Sequence, residues 1–163
     1  MPARTLRDGY SNFKWLQALA PQDVAAGAKT TGTAIDTQGY DTATIIVNVG
    51  AYTGGGAFSA DNRFQLMLEH YNSAAGDWSE CYPSQMIHSV IGMAGAYSTL
   101  NSGIFRSITS ANIGEVCAVG YKGPHRSIRI AISEVGAPST MSFAAMACLG
   151  LPNIWPVMEP VGD

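Results

Sequence analysis

The segment 115–134, EVCAVGYKGPHRSIRIAISE, constrains the fold more than any other part of the sequence. It contains two strand-like runs, 115–121 and 127–134, which join at Gly123-Pro124 and resemble the arms of a β-hairpin. The second run alternates strictly, with Ile128, Ile130 and Ile132 on one side and Ser127, Arg129 and Ser133 on the other. A half-buried β-strand satisfies this period of two, whereas a helix does not. The segment therefore predicts a sheet with one face toward a core.

Alternating or β-branched runs of the same kind recur along the chain, and no helical period of 3.6 persists for three turns. The predicted strands are 13–20, 30–35, 42–49, 63–71, 85–90, 104–110, 115–121, 127–134 and 141–149. Short stretches rich in Gly, Asn, Asp and Ser separate them, as turns require. This spacing is typical of a sandwich, jelly roll or small barrel. We expect an all-β fold, a single antiparallel β-sandwich or jelly roll of eight or nine strands.

The 163 residues suffice for one domain, with an extension at each end. Residues 1–12 are predicted to form an N-terminal arm, 13–150 the β-sandwich and 151–163 a C-terminal tail. Three prolines in the tail, LPNIWPVMEPVGD, prevent a helix or a central strand. The tail is nevertheless apolar at Ile154, Trp155, Val157 and Met158. Because prolines reduce the entropy lost on docking, it could pack on a neighbouring subunit or equally on its own domain.

Charged residues are scarce: they make up 13% of the chain, against about 25% in an average soluble domain. Segments 42–60, 81–105 and 135–158 contain none. A free monomer usually keeps its exterior charged, so this scarcity predicts an exterior covered by partners, or else a monomer with a Ser, Thr, Asn and Gly surface. The net charge of −3 argues against nucleic acid or an anionic membrane as a partner. Arg4 and Arg7 give the N-terminal arm a small local excess of positive charge, which could contact an acidic partner.

The residues that could carry chemistry form no recognisable motif. Cys81, Cys117 and Cys148 show no CxxC spacing and are expected to be reduced, mostly buried side chains in a protein made in a reducing cytoplasm. No apolar segment is long enough to span a bilayer. The three histidines lie far apart, and no GxSxG nucleophile motif is present. We therefore expect no catalytic residues, no metal, no cofactor and no enzymatic activity.

Two histidines and three aromatic residues each allow a structural and a functional interpretation. His70 shares a predicted face with apolar residues, which favours a buried structural histidine, and His125 lies in a turn, which favours a solvated one. Tyr71, Trp78 and Tyr82 surround one predicted turn. They could form a platform for a sugar, or they could simply pack that turn.

Four segments together resemble small structural proteins of the virions of tailed bacteriophages: 31–50, 66–81, 119–132 and 141–150. In such proteins an "iD..Gy.s" turn precedes a β-branched strand, an "l.eh…g.W" hairpin follows, and a "vGY.G..R.iRi" hairpin lies near the end. The matching positions here are Ile35, Asp36, Gly39, Tyr40, Leu68, Glu69, His70, Trp78, Gly120, Tyr121, Gly123, Arg126 and Arg129. The match covers about two-thirds of the chain and leaves out both ends.

Several matched residues have a physical role in this interpretation. Gly39 and Gly123 would permit turn conformations that other residues avoid, and Asp36 would cap its own turn. Arg126 and Arg129 would reach carboxylates or carbonyl groups of a neighbour, or else form a wet outer face. With Arg4, Arg7 and the apolar tail residues, they are the candidate interface residues.

The resemblance implies a capsid decoration, or cement, protein that binds the outside of an icosahedral head and bridges adjacent capsomers. Its partners would be the major capsid protein and further copies of itself, most simply as a homotrimer at three-fold positions, and its location would be the surface of the virion. Buried area at about 25 cal/mol per Å² and multivalent attachment would strengthen the shell. A head-completion, tail or fibre-associated protein and a carbohydrate-binding β-sandwich are the alternatives.

Overall fold

The computed structural model describes residues 13–53, 58–59, 61–87 and 103–152. Within them the chain forms two antiparallel β-sheets and two short 3₁₀ helices, Pro83–Gln85 and Ser110–Asn112, without an α-helix. The strands are β1 (Phe13–Val24), β2 (Thr30–Thr31), β3 (Ile35–Asp36), β4 (Tyr40–Thr53), β5 (Arg63–Asn72), β6 (Asp77–Glu80), β7 (Met86–Ile87), β8 (Ile104–Ile108), β9 (Val116–Tyr121), β10 (Ser127–Val135) and β11 (Thr140–Pro152). The prediction of an all-β domain is confirmed.

The two sheets pack against each other as a β-sandwich. Sheet 1 has the strand order β1-β11-β4-β9-β7. Sheet 2 is built on the central pair β10-β5, with β2 and β3 along the outer edge of β10 and with β6 and β8 along the outer edge of β5. Each outer position of sheet 2 is therefore shared by two short strands.

The core lies between the sheets and is formed by the inward side chains that alternation predicted. Those of β4, β5 and β10 are almost wholly buried: Ala43, Ile45, Val47, Val49, Phe64, Leu66, Leu68, Ile128, Ile130 and Ile132. The rings of Phe64 from sheet 2 and Phe143 from sheet 1 meet edge to face, with centroids 5.5 Å apart. Such aromatic pairs add to the stabilisation from burial, so this contact links the sheets directly.

The predicted hairpin at 115–134 is wrong, although both of its strands exist. β9 pairs with β4 and β7 in sheet 1, whereas β10 pairs with β5, β2 and β3 in sheet 2. The connection at 122–126 therefore crosses from one sheet to the other. Alternation determines which side chains of a strand face inward, but every residue offers the same backbone groups, so alternation does not determine the partner strand.

The predicted ends of the first two strands also differ from those in the structure. β1 continues through Pro21 to Val24 because it is an edge strand, where a missing N–H breaks no ladder hydrogen bond. The predicted strand 30–35 is instead divided at Gly32. A Cβ on Gly32 would lie 2.1 Å from the carbonyl oxygen of Ala18, and the next N–H, of Thr33, donates to that oxygen at 2.8 Å. The chain therefore contacts both sheets there.

The other boundaries follow the prediction with local changes. The predicted hairpin at 66–81 is confirmed by the pairing of β5 with β6, although β6 itself was not among the predicted strands. The predicted strand 85–90 begins with the end of a 3₁₀ helix, and β7 covers 86–87. β11 runs to Pro152, beyond the predicted end of the sandwich at 150. The arm 1–12 and the tail from 153 onward lie outside the described residues.

Candidate interaction surfaces

The exterior of sheet 1 carries no charged side chain across its three middle rows of cross-strand neighbours. We call this surface the uncharged face. Its residues, assigned from the strand register, are Trp15, Gln17, Thr44, Ile46, Asn48, Ile87, Val116, Ala118, Gly120, Ala144, Met146 and Cys148. Four of its large apolar side chains are about half exposed or more: Trp15 49%, Met146 49%, Ile87 59% and Val116 63%. These four side chains are therefore only partly covered by the part of the chain that the structure describes.

The uncharged face exists because two charge-free segments of the sequence become neighbouring strands. β4 comes from segment 42–60 and β11 from segment 135–158, and the two pair along most of their length. The charge on Asp23 lies at one end of the face, where its carboxylate accepts a hydrogen bond from Ser142 of β11. Contiguous exposed apolar surfaces on soluble proteins usually mark interaction sites.

The exterior of sheet 2 has the opposite character, because charged side chains project from it. Glu69 lies at its centre, is only 2% exposed and stands opposite Arg129 in the register of β5 and β10. Arg129 Nε donates to Glu69 Oε2 at 2.7 Å, and Lys29 Nζ donates to the other oxygen. Burial raises the pKa of the Glu69 carboxyl, but the hydrogen bonds from Lys29 and Arg129 outweigh it and hold the pKa below its usual value. The buried carboxylate is therefore ionised and paired with two cations.

Arg129 also covers an aromatic ring of the predicted sugar platform. Its guanidinium carbon lies 4.2 Å from the ring centre of Trp78, a cation–π contact. Trp78 in turn meets Tyr71 edge to face at 5.5 Å, while Tyr82 is 62% exposed. One face of the Trp78 ring is thus already occupied from within the chain, which leaves the opposite face, Tyr71 and Tyr82 for any stacking sugar.

The predicted turn at Asp36 is capped as expected. Asp36 Oδ1 accepts a hydrogen bond from the backbone N–H of Gln38 at 2.9 Å, and Gly39 has φ of +86°, which favours glycine. Arg126 donates two hydrogen bonds to the same carboxylate, from Nε to Oδ1 at 2.7 Å and from Nη2 to Oδ2 at 2.5 Å. These hydrogen bonds lower the pKa of Asp36 to about 2. This bidentate ion pair joins the turn before β4 to the connection between β9 and β10.

Both candidate interface arginines are therefore paired inside the domain and are not the free groups that the sequence suggested. Arg126 is the more accessible, with 62% of its side chain exposed, whereas Arg129 has 21%. Contact of either with a neighbour stays a prediction. The other candidate interface residues lie outside the described residues: Arg4, Arg7, Ile154, Trp155, Val157 and Met158.

His70 is buried between the sheets at one end of the sandwich, as predicted, and is 3% exposed. His125 is half-buried, so it is less solvated than predicted. Its ring lies against that of His70, with centroids 4.1 Å apart and the ring planes tilted by 40°, and its backbone N–H donates to Tyr121 Oη at 3.0 Å. Gly123 is needed for space and not for a positive φ, since a Cβ there would lie 2.4 Å from Tyr121 Oη. Sequence spacing alone could not show these contacts.

The buried histidine also contacts a cysteine, and burial disfavours the charged form of both side chains. Cys81 Sγ lies 3.5 Å from His70 Nδ1. Burial and the charge on Glu69 raise the pKa of Cys81 to about 12, while burial and the neighbouring His125 lower the pKa of His70. A nucleophilic cysteine requires a thiolate, which a lowered pKa supplies. The environment of Cys81 raises its pKa instead, and so favours the thiol over the thiolate.

The described residues offer no metal centre. Among them, no group of three or more His, Cys, Asp or Glu side chains is arranged to hold a metal ion. None of the helices there has the length and apolarity needed to cross a bilayer.

These features define a β-sandwich protein in which the exterior of sheet 2 is charged and internally paired, whereas the middle rows of the exterior of sheet 1 are uncharged and partly exposed. No protein-family model, curated protein or solved structure matches the chain.

Proposed function

We propose that this protein is a bacteriophage virion structural protein with a jelly-roll fold, and that it acts as a decoration protein on the capsid. The proposal joins the resemblance in four sequence segments to two structural features. These are the order of the strands and the uncharged face.

The strand order supports the jelly roll. In that fold eight strands form two Greek keys, so the first pairs with the eighth, the second with the seventh, the third with the sixth and the fourth with the fifth. With β2 and β3 counted as one interrupted strand, the corresponding pairs here are β1 with β11, β2 and β3 with β10, β4 with β9, and β5 with β8. β6 and β7 are then additions at the sheet edges. Jelly rolls recur in viral capsid and lectin domains, so the fold alone does not select the function.

The observation that carries the proposal is the uncharged face. A protein that works alone in water gains solubility from a charged exterior, whereas this chain leaves the three middle rows of the sheet 1 exterior without a charge. Half-exposed Trp15 and Met146 are side chains of the kind that protein interfaces bury. A subunit of a virion is surrounded by neighbours and can keep such a face covered.

In this proposal the protein strengthens the head passively. The major capsid protein is the principal partner, and the terminal segments 1–12 and 153–163 are the candidate attachment points. Each attachment adds to the others, because binding at one point raises the effective concentration at the next. A head-completion, tail or fibre role within the same virion would use the same sandwich and remains the first alternative, and sugar binding the second.

Binding to empty shells tests the proposal. The full chain would be mixed with empty heads of the parent phage, and co-sedimentation and the temperature of shell rupture would be measured. Variants that lack 1–12 or 153–163 keep every strand that the structure describes, because β1 begins at Phe13 and truncation after Pro152 leaves β11 whole. We expect the full chain to bind and to raise the rupture temperature, and we expect each truncation to weaken binding.

Two results would contradict the decoration role. If the full chain does not bind shells, a capsid location is excluded. If it binds purified tails or fibres and not heads, the virion alternative replaces it. Quenching of tryptophan fluorescence by a sugar, lost in Tyr71→Ala and retained in Ile113→Ala, would favour the carbohydrate alternative, since Ile113 is also exposed but lies away from Trp78 in sequence and sheet.

A further inference from the structure

The uncharged face points to a specific partner. We propose that it is a two-fold interface at which two copies of this chain pack sheet 1 against sheet 1. This inference does not depend on the capsid role, because it concerns the oligomer that the protein forms by itself.

The composition of the face favours a second copy as its occupant. In a two-fold contact the same patch meets itself, so a charge near the two-fold axis faces its own copy and any other charge needs a complementary partner within the same patch. The three middle rows of the uncharged face carry no Asp, Glu, Lys or Arg, and Asp23 lies at an end, so self-pairing brings no like charges together at the centre. The exterior of sheet 2, with Glu69, Glu80 and Arg129, lacks this property.

The size of the face sets how much of it a stable dimer must use. Five strands about 4.8 Å apart and the stretch of β11 from 143 to 149, each residue rising about 3.4 Å, give the three middle rows a footprint of roughly 24 by 20 Å, or about 500 Å². Specific interfaces bury about 800 Å² per partner. A stable dimer must therefore use all three rows and extend onto the flanking rows at Ser142 and Gly150.

The arrangement of large and small side chains on the face also suits packing between two sheets. Most outward side chains of the central strands are small or of moderate size, such as Ala144, Cys148 and Ala118, whereas Trp15 and Met146 project further. Sheets pack face to face about 10 Å apart when projecting side chains fit between smaller ones. Trp15 is the natural anchor, since tryptophan is enriched among the residues that dominate binding energy.

This geometry predicts a dimer and not the trimer implied by the resemblance. A contact that uses the same patch on both copies closes with two subunits, whereas a ring of three needs two different complementary patches on each subunit. Once two copies have met, neither uncharged face remains available to a third.

Sedimentation equilibrium of the full chain over a wide concentration range tests the interface. Met146→Glu and Val116→Glu each place a carboxylate on the uncharged face at a position that is already half exposed, so neither disturbs the core. Thr31→Glu is the matched control, because it adds the same charge at an exposed position on the exterior of sheet 2. A carboxylate buried in an interface without a cationic partner costs several kcal/mol, so we expect each face variant to raise the dimer Kd by at least about 100-fold and the control to leave it unchanged.

A second measurement does not depend on any substitution. Cys148 lies on the face, whereas Cys81 and Cys117 are buried. We expect the rate of maleimide labelling at Cys148 to fall as protein concentration rises through the dimer Kd, and to be independent of concentration in Met146→Glu. Labelling that is equally fast in monomer and dimer would overturn the proposal.

Three other results would also overturn it: a monomer at every concentration, a trimer, or a dimer that both face variants form as tightly as the parent. A shell-binding assay distinguishes failure of this interface from failure of the proposed function. A dimer that fails to bind shells refutes the capsid role alone, and a shell-binding protein that never dimerises refutes the interface alone.

Discussion

Replacing Glu69 with glutamine tests the charged cluster that organises the exterior of sheet 2. The substitution keeps the size of the side chain and removes its charge. Arg129 and Lys29 then face a neutral amide in a site where the native side chain is only 2% exposed. Loss of one partner from a buried ion pair leaves an uncompensated charge, which is the costly outcome.

The expected loss of stability follows from how much water reaches each cation. A fully buried pair costs about 3–5 kcal/mol when one partner is removed. Lys29 has 41% of its side chain exposed and can move its ammonium group into solvent. Its contribution to the lost stability is therefore close to that of a surface ion pair, at most about 1 kcal/mol. Arg129 has 21% exposed and still rests on Trp78, which reduces its share. We therefore expect a decrease of about 3 kcal/mol in the free energy of unfolding, or about 6–12 °C in Tm for a chain of this size.

Urea unfolding at neutral pH, followed by tryptophan fluorescence, measures this difference. Glu80→Gln is the matched control, because Glu80 lies directly opposite Glu69 on β6 and is exposed. Like charges opposite each other in a sheet are unfavourable, so the control should leave stability unchanged or raise it slightly. The parent should also lose its advantage over Glu69→Gln in acid, since a lowered carboxyl pKa stabilises the fold above the unfolded value of 4.5 and this contribution disappears as pH falls through the folded value.

The result that would refute this reasoning is a Glu69→Gln protein as stable as Glu80→Gln. It would mean that the cations relax into solvent at no cost and that the cluster does not hold β5, β10 and the Lys29 segment together.

Three further predictions concern other parts of the fold. Burial and the neighbouring His125 lower the pKa of His70, so the free energy of unfolding should fall as pH drops below about 6.5. In that range the unfolded histidine takes up a proton, whereas the folded one resists it. Measured across this range for the parent and His70→Gln, the free energy of unfolding should depend less on pH in the variant. Gly32→Ala should cost about 2–3 kcal/mol by thermal denaturation, because its Cβ meets backbone 2.1 Å away, whereas Gly76→Ala, with φ of +74° and open space around it, should cost about 1–2 kcal/mol; equal costs would contradict the steric argument. With a chromogenic disulfide, Cys148 should react in the native state and the two buried cysteines, whose pKa values are raised to about 12, only after unfolding; three equal rates would contradict this burial.

Much of the fold follows from local sequence. Alternation located most strands and assigned inward faces such as Ile128, Ile130 and Ile132 correctly, because a half-buried strand needs one apolar side. Turn chemistry identified Gly39 and the Asp36 cap, since both depend on residues close together in sequence. The break at Gly32 was missed because its cause, the carbonyl of Ala18, belongs to the other sheet.

The candidate surfaces were less accessible to sequence reasoning. The charge-free segments 42–60 and 135–158 were visible, but whether they formed core or exterior was not. Arg129 was recognised as outward-facing, whereas its ion pair with Glu69 and its contact with Trp78 join residues from three strands. A cross-strand pair is defined by register, which no single strand contains.

The sequence by itself determined an all-β domain, the faces of its strands and the absence of charge from three long segments. Tertiary structure alone decided that β9 and β10 lie in different sheets, that β4 and β11 are neighbours, and that their outward residues form one uncharged face. The physical reason is that side-chain alternation is a local property, whereas backbone hydrogen bonds are chemically alike at every residue. The partner of each strand is therefore selected by how all the inward faces pack together.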